Sequence, residues 1–236
     1  MVIISFYNEE AYEKALMELF QNLGYNSFYG PDIDREHKNP LYMGDIDILY
    51  NINNQLDKEA IDKAIEIIQD FGIGSLEEKN NKFMDYIQNG INVNYWHDGK
   101  EESTHVKLID YDNLDNNIFT AINQWTVIDK ETKIPDIVVF VNGFPLVVCE
   151  LKSPSRENTD TSEAYNQLKK YMQVIPTLFN YNAFCVMSDM SISKAGTITA
   201  SEDRFMEWKT TDGSLKQHNG QISQHSLKEY SIKKDS

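Results

Sequence analysis

Two cysteines in 236 residues are too few for a disulfide framework, and Cys149 and Cys185 lie separately inside apolar, β-forming runs without the paired spacing of a zinc site. They are expected to be core thiols. The five histidines, His37, His97, His105, His218 and His225, are scattered without ligand spacing, so zinc hydrolysis and Ser- or Cys-His nucleophilic catalysis have no support. No run of about 18 apolar residues exists for a membrane span. The opening "MVIISFYNEEAYEKAL" lacks the basic region and long apolar stretch of a secretory signal, so a cytoplasmic protein without a membrane partner is expected. There is no internal repeat, no low-complexity block and no GxxxxGK[ST] phosphate loop.

Positive charge is also scarce. Lys and Arg number 22 against 37 Asp and Glu, for a net charge of −15, which argues against a simple nucleic-acid binder because phosphate neutralisation needs clustered cations. The deficit is uneven: residues 1–130 carry net −14 and residues 131–236 net −1. The second half permits a polyanion without demanding one.

What is present is ordinary globular composition, 41% apolar and 11% aromatic, enough for a sizeable core in one large domain or two small ones. Ala15, Leu16, Leu19, Phe20 and Leu23 recur at helical spacing, with Asn8 as N-cap and Gly24 as stop. After a turn-rich stretch over 25–55, Ala60, Ile61, Ala64, Ile65, Ile68 and Phe71 predict a second helix ended by Gly72 and Gly74, and "NKFMDYIQNG" suggests a third. From residue 91 the pattern changes to period two in "INVNYW", "HVKLIDY", "IFTAINQWTVI", "PDIVVFV" and "FPLVVCELK", which predicts a sheet. A further helix carries Ala164, Tyr165, Leu168, Tyr171, Met172 and Ile175 on one face, with Asp160 and Glu163 as a capping box and Pro176 as terminator. "NAFCVMSD" reads as one more buried strand, and the polar residues beyond as a loosely held tail.

The chemistry concentrates in "IPDIVVFVNGFPLVVCELKSP". Asn142-Gly143 is a strong hairpin signal, so Asp136 and Glu150 fall near the same end of two antiparallel strands. A two-residue loop would pair Asp136 with Cys149 and send Glu150 to the opposite face, whereas a three-residue loop would bring the two acids to one face. The odd loop is expected. Lys152, two residues beyond Glu150, shares its face by alternation. The plain alternative is an ordinary surface ion pair at a strand end. Against it, Val147, Val148 and Leu151 read as core, and two close carboxylates favour a hard divalent cation such as Mg²⁺ between them. Such an ion takes waters and phosphate oxygens as its other ligands and lowers the pKa of a bound water, while Lys152 could orient that water or stabilise developing phosphorane charge. Gln167 and Tyr171, four residues apart, stack on one face of the following helix; a core aromatic with a chance neighbour is the alternative there. Lys169 and Lys170 read as a solvated face.

"PDIVVFVNGFPLVVCELK" followed by "NQLKKY" resembles the PD-(D/E)xK nuclease motif with its Q-x-x-x-Y extension, in the form found at the N-terminus of type I restriction enzyme R subunits. "ALMELFQNLGY", "YGPDI", "LIDYDNLDNNIFTAINQWTV", "AYNQLKKYMQVIPTLFNYNAFCVMSD" and "RFMEWKTTDG" are similar to the same region, so the resemblance covers about residues 9–213. It implies an α/β restriction-endonuclease-like fold, a central mixed sheet flanked by helices with extra N-terminal helices, over 1–213, and a polar tail over 214–236.

The resemblance further implies that Asp136 and Glu150 are metal ligands for Mg²⁺, with Mn²⁺ as substitute, and that Lys152 is the catalytic lysine. Gln167 and Tyr171 would support DNA contact or site geometry. The family also carries an acid on its first helix, for which Glu13 is the choice and Glu9 the substitute. The implied activity is endonucleolytic hydrolysis of double-stranded DNA. The family's complete subunits add an ATP-driven translocating motor and act with methylation and specificity subunits, so ATP belongs to that motor region and this chain is expected to be an N-terminal piece. A non-catalytic assembly module and a stand-alone RecB-like nuclease are the alternatives.

Overall fold

A computed structural model describes residues 8–152, 161–189 and 192–207. In chain order it contains α1 (Glu9–Asn22), β1 (Asn26–Tyr29), α2 (Met43–Ile46), α3 (Ile48–Ile52), α4 (Lys58–Gln69) and α5 (Leu76–Asn89). Then follow β2 (Ile91–His97), β3 (Lys100–Val106), β4 (Phe119–Asn123), β5 (Val127–Ile128), β6 (Thr132–Lys133), β7 (Ile137–Val141) and β8 (Phe144–Leu151). The chain continues through α6 (Thr161–Val174), α7 (Pro176–Phe179), β9 (Phe184–Ser188), β10 (Ser193–Gly196) and β11 (Met206–Glu207). No helix among the described residues is long and apolar enough to cross a membrane.

The central sheet is mixed, in the order β1-β4-β7-β8-β9-β10-β11, with β1/β4 and β8/β9 parallel and the other pairs antiparallel. Helices cover both faces. On one face α6 and α7 bring Ala164, Leu168, Tyr171 and Phe179 against Val138, Phe140, Val148 and Met187. On the other, α1 packs Tyr12, Met17 and Phe20 against Ala121, Ile137, Val139, Cys149 and Leu151. Alternation along β7 and β8 thus divides one strand pair between two cores. A third core joins α4 and α5 to the β2–β3 hairpin and to Phe144 at the start of β8.

Local signals explain where the longer helices α1 and α5 start. Asn8 accepts the Ala11 N–H at 2.9 Å, and Ser75 with Glu78 forms a capping box that starts α5. The expected stripe on α1, which begins at Tyr12, holds at Tyr12 and Phe20, both buried, but Ala15 is exposed and Met17 is buried in its stead. Lys169 also departs from a solvated face, since its ammonium donates to the Ile198 carbonyl at 2.9 Å; Lys170 is exposed. The proposed cap at Asp160 and the tail over 214–236 lie outside the described residues.

The sheet differs from expectation in membership. Among the described residues β2 and β3 pair only with each other, as a separate hairpin, and β3 ends at Val106, so "KLIDY" leaves the strand. The stretch over 25–55 supplies the edge strand β1 and two short helices, and β10 and β11 extend the far edge. Edge strands this short and exposed carry no alternation to read.

The β7–β8 turn corrects the expected loop. Val141 pairs with Phe144, so the loop is two residues, and Asn142 and Gly143 take φ of 52° and 83°, as a type I′ turn needs. The parity change comes from within β8. Phe140 pairs with Pro145 but Val139 pairs with Val147, leaving Leu146 as a β-bulge. Pro145 has no N–H for the ladder, which is why a proline in a central strand sits at such an irregularity. The Leu146 carbonyl is taken by the Ala183 N–H at 2.7 Å and by the Asn182 amide at 3.3 Å.

Candidate active site

Beyond the bulge the register runs Ile137 to Cys149, and one step further sets Asp136 across from Glu150, where directly opposed side chains stand about 4.5–5.5 Å apart at Cβ. Both acids share the face that carries Val138 and Val148, beneath α6. Asp136 Oδ2 accepts the Leu151 backbone N–H at 2.7 Å. Lys152 Nζ donates to Glu150 Oε1 at 2.7 Å, and its backbone N–H donates to the Ser188 carbonyl at 2.8 Å, which fixes the residue just past the end of β8. Asp136, Glu150 and Lys152 therefore converge.

Burial dominates their electrostatics. Glu150 is 2% exposed, and desolvation, followed by the Asp136 charge, pushes its carboxyl up to about 8 against the opposing pull of Lys152. Desolvation lifts Asp136 to about 6, with Glu9 and Glu13 adding and the Leu151 N–H and Lys152 opposing. Burial alone would lower Lys152, but the Glu150 charge and hydrogen bond, with Glu9 and Asp136, raise it. One ammonium thus stands beside two carboxyls that burial holds above their ordinary range.

The helix residues arrive from above. Gln167 Nε2 donates to the Tyr171 hydroxyl at 3.0 Å, one turn apart on α6. Tyr171 is buried, and desolvation and then the Glu150 charge raise its hydroxyl well above the usual phenol value. From the opposite layer, α1 delivers two acids. Glu9 Oε1 lies 3.9 Å from Lys152 Nζ. Glu13 accepts at both oxygens, from Asn123 Nδ2 and Gln124 Nε2, each at 2.6 Å. Asn123 and Gln124 were not among the candidate residues. The only trace of them in sequence is two amides at the end of "IFTAINQW", a pattern that carries no period.

The donor set suits a hard cation better than any soft one. Among the described residues Glu150 Oε2 is buried without a well-formed hydrogen bond, with the Tyr171 hydroxyl the polar group facing the carboxyl, a costly state unless something positive meets it. Among the described residues no group of three or more His, Cys, Asp or Glu side chains encloses a metal. Two carboxylates with remaining positions open to water and substrate oxygen is the arrangement that Mg²⁺ accepts. The residues thus fit the ion.

The family of type I restriction enzyme R protein N termini matches residues 6–204. The type I restriction enzyme HindI endonuclease subunit of Haemophilus influenzae is 33% identical over 217 residues, covering 87% of this chain and 20% of that protein. A putative type I restriction enzyme MjaIXP endonuclease subunit of Methanocaldococcus jannaschii is 30% identical over 208 residues, covering 84% of this chain and 20% of that protein. The MjaVIIIP subunit of the same organism, also putative, is 35% identical over 130 residues, 55% of this chain and 12% of that protein. The chain spans roughly a fifth of the length of the first two relatives. With a nuclease-like mixed sheet, a family match over most of its length and relatives at this identity, the chain belongs to the type I restriction enzyme R proteins, as their N-terminal domain.

Proposed function

We propose that this domain is the Mg²⁺-dependent endonuclease of a type I restriction enzyme R subunit, hydrolysing phosphodiester bonds of double-stranded DNA. The observation that carries the reading is the buried Glu150 carboxylate, with Oε1 bound to Lys152 at 2.7 Å and Oε2 without a well-formed hydrogen bond among the described residues, set across from Asp136. Asp136 and Glu150 would hold the ion, which supplies Lewis-acid polarisation of the phosphate and a more acidic bound water. Lys152, charged and half-buried, presents further N–H donors beside the pair, suited to orienting an attacking water and to stabilising charge that develops on phosphate oxygens. The Leu151 N–H holds the Asp136 carboxylate in place, so that little reorganisation is needed when substrate arrives. Tyr171 and Gln167 cap the site from α6, excluding water from Glu150 and supporting the approach of DNA.

The complete subunit is proposed to add an ATP-driven DNA-translocating motor and to act with methylation and specificity subunits. The acidic residues 1–130 support a domain that depends on such partners for DNA affinity. The direct test is plasmid nicking in Mg²⁺ or Mn²⁺ by this chain and by Lys152→Ala, repeated in the complete subunit with its partners. A loss of about 100-fold or more with unchanged folding is expected for the variant. Equal cleavage by both proteins would place the chemistry elsewhere.

A further inference from the structure

Four observations meet at Gln124, in the loop that leaves β4. Its backbone lies in the left-handed region at φ 55°, uncommon for a residue with a Cβ and retained only where surroundings enforce it. Its backbone N–H donates to the Asp136 carbonyl at 2.8 Å. Its side-chain amide donates to Glu13 Oε2 at 2.6 Å, beside the matching bond from Asn123 to Oε1. Its carbonyl packs on Gly30 so closely that a Cβ there would stand 2.5 Å away, and 2.9 Å from the Asn123 carbonyl. A side chain at residue 30 would push this loop off the site.

These contacts hold Asp136 from its backbone side while the Leu151 N–H holds its carboxylate from the other. They also engage both oxygens of Glu13 with amide donors. We infer that Gln124 is a positioning residue for the Asp136–Glu150 pair, and that Glu13 is the anchor for Gln124 on α1 and not a third metal ligand. The inference rests on the nuclease reading above. It assigns the first-helix acid a mechanical role: the α1 layer is clamped to the end of β4, and through the Gln124 N–H the clamp sets where Asp136 stands relative to Glu150. Ordering of this kind, one step removed from the ligands, typically accounts for about 10–100-fold in metal affinity.

The test is titration of this chain with Mn²⁺ alone, read as free ion by electron paramagnetic resonance. The variants are Gln124→Gly, Glu13→Gln, the double variant and Asp136→Asn. Glycine keeps the left-handed backbone available, so Gln124→Gly removes the amide without forcing the loop to move. The expected result is abolished binding in Asp136→Asn and a roughly tenfold weaker Kd in Gln124→Gly. Far-UV circular dichroism and the denaturation midpoint of Gln124→Gly should stay near wild type, which separates positioning from simple loss of structure. The double variant should be no weaker than the worse single variant, because the two residues act as one link. If Gln124→Gly binds within about twofold of wild type while Asp136→Asn does not bind, positioning is overturned and the metal site stands. Unchanged binding in Asp136→Asn would overturn the metal reading and positioning together, and additive losses would overturn the Glu13 anchor. Should Gln124→Gly fail to fold, Glu13→Gln decides alone: an unchanged Kd breaks the link.

Discussion

Asp136 stands opposite Glu150 because Leu146 is bulged out of β8, not because the turn is long. A two-residue turn followed by a regular ladder would pair Asp136 with Cys149 and send Glu150 into the α1 face. The bulge adds one residue to β8 alone, and every position after it changes face relative to β7. The site therefore depends on a backbone irregularity four residues before Glu150.

Metal-free stability should fall as pH rises. The Glu150 carboxyl is raised in the folded chain from 4.5 to about 8, so between those values the native state holds a proton the unfolded state has released. Unfolding then releases a proton, and stability declines as pH rises through that window. Asp136, raised from 3.8 to about 6, adds a decline at lower pH. Glu150→Gln removes the larger contribution. By urea titration at pH 5 and pH 8.5, the wild-type chain should lose on the order of 1–3 kcal/mol more than this variant. Parallel pH profiles would show that Glu150 is not held protonated by the fold.

The same protons compete with a cation. Stabilisation by Mg²⁺ or Mn²⁺ should grow from pH 6 to pH 8.5, since the ligand form of both carboxyls is the ionised one. Thermal melts at fixed ion concentration measure this, and chelator should return the midpoint to the metal-free value. A shift that does not change with pH would point to ion binding at exposed acids instead.

Tyr171→Phe removes the hydroxyl that accepts from Gln167 and leaves the ring in the α6 core. The loss should be about 1 kcal/mol of stability, the scale of one hydrogen bond whose partner is only half-buried. DNA cleavage should drop by less than in Lys152→Ala, because the hydroxyl meets Glu150 as a neutral group, whereas the Lys152 ammonium brings a charge to the site. A loss equal to that of Lys152→Ala would give Tyr171 a direct part in the chemistry.

Gly143→Ala tests the turn. At φ 83° an alanine is strained, and its Cβ would sit 2.5 Å from the Tyr42 carbonyl, whose own N–H bonds to the Gly143 oxygen at 2.9 Å. A destabilisation of roughly 1–3 kcal/mol is expected in a denaturant melt. A neutral effect would mean the α2 segment yields readily and does not brace the hairpin.

Amino-acid order alone determined the elements whose signals are local. The stripe of α4, the Asn8 cap, the buried faces of α6, the Asn142-Gly143 turn and the apolar runs of β7, β8 and β9 are each written within a dozen residues. So was the placing of Lys152 on the face of Glu150, which needs only the two-residue repeat of a strand.

Tertiary structure decided what no local period encodes. Strand membership is one such thing: β1 enters the sheet by parallel pairing with β4 across almost a hundred residues, while β2 and β3, better patterned, stay outside it. The bulge is another, although Pro145 in a central strand was a sign of it. The Glu13 clamp is the third. Its partners Asn123 and Gln124 lie more than a hundred residues away and are chosen by the packing of α1 on the end of β4. Side chains at the ends of elements bond according to where those ends meet, and that is a property of the assembled layers alone.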